Sequence, residues 1–113
     1  MNITFTAQPF PELTLSGHLL ADNGFTTDTP IKLQLRQQAL WITIVTDQHD
    51  WDALCEASQY NHDLGADWVR NDGSLVISDG WLTQLHISRA EDVDIIPAPN
   101  VIIVRRRTAG LSA

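Results

Sequence analysis

The sequence predicts an α+β protein, mainly β, made of two strand-helix-strand-strand units joined by a connecting helix. Three observations predict it. Short runs alternate apolar and polar residues, as half-buried strands do, at Leu13-Leu15, Ile31-Leu33-Leu35 and Leu40-Ile42-Ile44. Between Asp47 and Ser58 the apolar spacing changes to threes and fours, the period of a helix. Finally, sliding the chain by 62 positions lays Leu75 to Val104 on Leu13 to Ile42 without a gap, apolar on apolar.

Taken in order, Asn2 to Thr6 points Ile3 and Phe5 the same way and reads as a short strand, ended by Pro9-Phe10-Pro11. Leu13 and Leu15 form the next strand. Ser16-Gly17 then leads into a compact apolar turn, His18-Leu19-Leu20, too short to be a helix without tertiary packing. Asn23-Gly24 closes it, since both residues tolerate left-handed backbone angles. Pro30 suits the first position of the following strand, where a missing donor does little harm. Leu40 to Val45 is rich in β-branched residues, includes Trp41, and reads as a strand.

Asp47 or Asp50 caps the connecting helix, whose apolar positions are Trp51, Leu54, Cys55 and Ser58; Tyr60 to Gly65 ends it, and Asp72-Gly73 marks a turn. In the second unit Leu75, Ile77, Ser78, Trp81 and Leu82 fall on Leu13, Leu15, Ser16, Leu19 and Leu20. Ile87, Val93, Ile95, Ile102 and Val104 fall on Phe25, Ile31, Leu33, Leu40 and Ile42. Residues 1–107 thus read as a single compact domain of two pseudo-repeats, 1–46 and 72–107, around an acidic helical connector, 47–71. A small polar stretch, 108–113, is expected to be a flexible tail.

At 113 residues and 43% hydrophobic content, the chain can bury one ordinary core and is not of disordered composition. No stretch is long and apolar enough to span a membrane and no leader pattern opens the chain, so a cytoplasmic location without membrane association is expected. The single cysteine, Cys55, excludes an internal disulfide and reads as a small buried hydrophobe. The net charge of −7 is unevenly spread. Residues 46–74 set Arg70 against Asp47, Asp50, Asp52, Glu56, Asp63, Asp67 and Asp72, whereas residues 75–113 balance Arg89, Arg105, Arg106 and Arg107 against four acids. Acidity sits in the connector, and basic character at the end of the last strand.

The run Leu13-Thr-Leu-Ser-Gly-His-Leu-Leu, then Asn23-Gly24-Phe25, Ile31-Lys-Leu-Gln-Leu and Leu40-Trp-Ile-Thr-Ile, resembles the SymE family of bacterial toxins, grouped with the AbrB and MazE swapped-hairpin superfamily. The second copy, Leu75-Val-Ile-Ser-Asp-Gly-Trp-Leu, is similar to the same pattern. The family's glycine followed by Trp-Leu is Gly17-His18-Leu19-Leu20 in the first unit, without the aromatic, and Gly80-Trp81-Leu82 in the second. The resemblance implies a swapped-hairpin (AbrB-like) barrel, closed within one chain by the two units, and hence a monomeric pseudo-dimer, or else a homodimer. It also implies a protein of a toxin-antitoxin system that acts on nucleic acid, by RNA cleavage or by binding RNA or DNA.

Two other functions stay open. One is a non-enzymatic DNA-binding regulator or antitoxin of AbrB or MazE type; the other is an interaction module whose acidic connector engages a protein partner, with Trp51 or Trp68 as anchor.

The candidate nucleic-acid-binding residues are Lys32, Arg36, Arg89, Arg105, Arg106 and Arg107, because cations that neutralise phosphates supply most non-specific affinity. The alternative account of Arg105-Arg106-Arg107 is a solubilising flank on an apolar strand. His49-Asp50 and His62-Asp63 are metal-ligand-like dipeptides, but no further ligands stand at the spacing a metal needs, and no metal or cofactor is expected. Catalytic residues are not assigned: no Gly-x-Ser-x-Gly elbow is present, and His18 or His86 with Arg36 or Arg89 is the nearest approach to a metal-free ribonuclease pair. Trp41 and Trp81, set among apolar neighbours, are expected in the core.

Overall fold

In a computed structural model of the chain, which describes residues 1–7 and 9–107, the alternating runs become eight strands: β1 (Asn2–Thr6), β2 (Glu12–Ser16), β3 (Pro30–Arg36), β4 (Ala39–Ile44), β5 (Leu64–Trp68), β6 (Leu75–Ile77), β7 (Val93–Ala98) and β8 (Val101–Arg106). Three helices are α1 (His18–Asp22), α2 (Gln48–Ala57) and α3 (Asp79–Gln84), and a single 3₁₀ turn covers Ala90–Asp92. The expected polar tail, 108–113, lies outside the described residues. Among the described residues no helix is long and apolar enough to cross a membrane.

The strands form two antiparallel sheets, one in the order β1-β2-β6 and one in the order β5-β3-β4-β8-β7. Both put their apolar side chains on a shared core. Leu13, Leu15, Leu75 and Ile77 come from the first sheet, and Ile31, Leu33, Leu40, Ile42, Ile102 and Val104 from the second. Phe25, Val69, Leu85, Ile87 and Val93 join that cluster, as do Leu20 of α1 and Leu82 of α3. Both helices are far too short to persist alone, and these two leucines, 1% and 0% exposed, tie them down.

The two sheets do not close into a barrel, which corrects the expected architecture. Chain leaving β2 or β6 passes through a helix before it enters the larger sheet, so no hydrogen-bonded ladder links the sheets, and β1, β6, β5 and β7 remain edges. A second difference concerns the connector. Its helix ends at Ala57, and Leu64–Trp68 is a strand that pairs with β3 at the edge of the five-stranded sheet.

The offset of 62 recurs in the strand pairing. β2 pairs β6 with Thr14 opposite Val76, and β4 pairs β8 with Trp41 opposite Ile103; each of these pairs joins positions 62 apart. The hairpins match as well: Ile31 faces Ile44 in β3–β4, and Val93 faces Arg106 in β7–β8. The helix ends match in turn. Phe25 donates its amide to Leu20 O at 2.8 Å, and Ile87 donates to Leu82 O at 2.9 Å, with Gly24 (φ 94°) and His86 (φ 60°) in the left-handed region just before each donor.

Gly65 on β5 explains how α3 reaches the larger sheet. A Cβ there would lie 2.5 Å from Cζ2 of Trp81, so the absent side chain is the seat of the indole. Trp81 is half-buried against the core, as expected from the sequence. Trp41 is not a core residue: it alternates with Leu40 and Ile42, which face inward, and therefore stands half-buried on the opposite face. We predict that Gly65→Ala lowers unfolding free energy by about 1–3 kcal/mol through overpacking. Urea denaturation should show the loss in the midpoint with an unchanged slope.

Candidate nucleic-acid interface

Register places the predicted cations. Arg36 at the end of β3 lies across from Ala39 of β4, and Ala39 lies across from Arg105 of β8. The two arginines therefore stand on one face of the sheet, two strand spacings or about 10 Å apart. Arg105 in turn faces Asp94 of β7, and Arg106 faces Val93. Arg107 follows directly, its amide donating to Asp92 O at 2.7 Å and its guanidinium to Val93 O at 3.1 Å. Arg89, just before the 3₁₀ turn, reaches the same Asp92.

Five of the six predicted cations thus gather at one end of the five-stranded sheet. The sixth, Lys32, does not join them: it lies two residues short of Gln34 on β3, in a groove under α2 with Asp50 and Leu54. The polar pair Gln37-Gln38, which separates the two alternating runs in the sequence, is the turn, both residues with positive φ (54° and 63°); it folds β4 back and brings Arg36 to the same end as Arg105 of β8.

Four carboxylates share this end: Asp63, whose carbonyl accepts from the Leu35 amide at 2.8 Å, lies beside the end of β3, and three others are in ion pairs. Arg105 Nε binds Asp94 Oδ2 at 2.8 Å; Arg89 holds Asp92 at 3.2 Å and Glu91 at 3.8 Å. Among the described residues these are the ion pairs of the molecule, and all of them lie here. Five guanidinium groups against four carboxylates leave the end net positive on a protein of charge −7. Arg36 places its guanidinium 4.1 Å from the ring centroid of Trp41, a cation-π contact that stiffens both side chains. Trp41 Nε1 is buried and has no hydrogen-bond partner among the described residues.

A concavity of about 450 Å³ opens at this end, lined by Gln37, Gln38, Gln84, Leu85, His86, Arg105 and Arg106. Its polar lining offers guanidinium and amide donors, the groups that grip phosphate oxygens and base edges. His86 belongs to it, on the exposed C-terminal side of α3, with Arg105 and Arg106 rather than the Arg36 or Arg89 that the sequence suggested. His18 sits elsewhere, in a groove with Asp72 and Gly73. The grouping of the glutamines with His86 carried no sequence signal, because Gln37 of the turn and Gln84 at the end of α3, 47 positions apart, become neighbours only in the fold. Among the described residues no three His, Cys, Asp or Glu side chains assemble as a metal-ligand set; that includes His49-Asp50 and His62-Asp63.

The Arg89–Asp92 pair is electrostatically mutual. Its hydrogen bonds hold the Asp92 carboxyl below the usual carboxylate value, helped by the charges of Arg89, Arg106 and Arg107, and raise Arg89. A carboxyl depressed in the folded state stabilises the fold above its ordinary value near 3.8, and that contribution is lost as pH falls through the lower folded value. We predict that acidification from about pH 5 to about pH 3 lowers the urea midpoint less in Asp92→Asn than in the parent chain. Comparison of the chain with protein-family models, with curated proteins and with solved structures finds no match.

Proposed function

We propose that the chain is a SymE-like protein of the AbrB-type swapped-hairpin superfamily, with both halves of the usual pair in one polypeptide, and that it acts on nucleic acid through the arginine-rich end of its larger sheet. The observation that carries the reading is the gathering of Arg36, Arg89, Arg105, Arg106 and Arg107 at one end of the larger sheet, where Arg105 and Arg106 line a concavity with His86 and three glutamines. Matching registers at the 62-residue offset support the superfamily assignment, since strands from two equivalent units pair with each other in both sheets.

The charge argument favours this end over the rest of the surface. Phosphate binding requires local cations rather than a basic whole, and the acids of α2 and β5 lie beyond the opposite side of the sheet from β7. Asp92, Glu91 and Asp94 are already occupied by Arg89 and Arg105. Arg106 is exposed and forms no ion pair among the described residues, so it is the cation most available to a phosphate.

Fluorescence anisotropy with labelled single-stranded RNA and with duplex DNA, each across a salt series, tests the proposal. Affinity for one of them should fall steeply with salt, with a log-log slope of about −0.7 per contacted phosphate for a single strand or about −0.9 for duplex DNA. Arg105→Ala, Arg106→Ala and Arg107→Ala together should flatten that slope by about two units. Arg106→Glu alone, which removes no intramolecular partner, should weaken binding at least tenfold at low salt. Equal affinity of parent and Arg106→Glu overturns the assignment. Preference for duplex DNA indicates a regulator, and cleavage of RNA by the pure protein indicates a toxin.

A further inference from the structure

On the acidic side of the molecule a second groove, of about 540 Å³, lies between the start of α2 and the β5 edge. Its walls are aromatic. Trp51 of α2 and Trp68 of β5 meet edge to face, with centroids 6.3 Å apart and planes at 62°. Pro30 and Val45 add apolar surface, and Asp28 and Asp47 supply carboxylates. Trp68 is 49% exposed on an edge strand, a large hydrophobic area that the fold leaves open.

We propose that this groove binds an alkylammonium cation, such as a lysine or methylated lysine side chain, between the tryptophan rings and the two carboxylates. The face of an indole carries negative potential, and both rings line this one cavity, so a cation with apolar methylenes held against a ring face gains both attraction and burial. The carboxylates are placed to complete the charge. Among the described residues neither Asp28 nor Asp47 is in an ion pair, and Asp28 accepts no side-chain hydrogen bond. Asp47 uses Oδ1 to cap α2 through the His49 amide at 2.8 Å, which offsets the positive helix end and leaves Oδ2 free for a ligand. An anion would meet two carboxylates here. A neutral apolar ligand would leave them without a partner.

The test is a titration followed by tryptophan fluorescence and by the indole N–H signals in NMR, with choline and with its neutral carbon analogue 3,3-dimethylbutanol. Choline should bind saturably and shift the Trp51 and Trp68 signals, and the neutral analogue should bind about 3- to 30-fold more weakly, the factor corresponding to a cation-π energy between exposed and desolvated values. Asp28→Asn with Asp47→Asn keeps the fold, because Asn tolerates the left-handed angle of residue 28 (φ 63°) and caps helices as well as Asp does. That variant should lose at least threefold in choline affinity, and Trp68→Ala should lose saturable binding. An Nε-trimethyllysine peptide that binds more tightly than free choline assigns the site to a protein segment; the reverse order assigns it to a small cation. Equal affinity for choline and its neutral analogue, or unchanged choline affinity in the double Asn variant, or no saturation by choline, overturns the proposal.

Discussion

The structure depends on the pairing of β4 with β8, which joins the two hairpins of the larger sheet into one surface. Without it the sheet would part into the three strands β5-β3-β4 and the β8-β7 ribbon, and a two-stranded ribbon is marginal in water on its own. With it, Leu40 and Ile42 lie beside Val104 and Ile102, all four fully buried. The smaller sheet obeys the same constraint. β6 has only three residues, and its Leu75 and Ile77 are covered because β2 lies alongside them. Neither half of the chain contains a complete core, so the fold exists only when both are present.

Equivalent positions in the two halves then carry different chemistry. Arg105, Arg106 and Arg107 occupy the places that Thr43, Ile44 and Val45 occupy in the first hairpin, as the shared register shows. Val45 donates its amide to Pro30 O, just as Arg107 donates to Asp92 O, so the backbone is preserved while the side chains change. In the first half that corner leads into the acidic α2 and the tryptophan groove. In the second it is the arginine-rich end.

Much of this was legible in the sequence, and the parts that were not share a cause. Alternation identified the first hairpin, the 62-residue offset carried it to the second, and the helical spacing found α2, because each pattern is read directly along the chain. β5 escaped because the positions that share a face with buried Leu33 and Ile31 are Gly65 and Asp67, which carry no apolar signal; Gly65 is bare because Trp81 from α3 fills its place. That is a contact between distant segments. Trp41 was misjudged although the signal was present: strict alternation with Leu40 and Ile42 puts it on the other face. Barrel closure and the gathering of Arg36 and Arg89 around β8 both depend on how the sheets are arranged in space, which residue spacing along one strand does not encode.

The β4–β8 ladder lies within a single polypeptide, and this alters the order of the folding reaction. A pair of separate chains assembles in a concentration-dependent step and loosens on dilution. Here the partner strand arrives by closure of an internal loop, whose entropic cost grows by only about 0.6 kcal/mol for each doubling of its length. Formation of this ladder is therefore a first-order event, whose rate does not depend on the concentration of the chain.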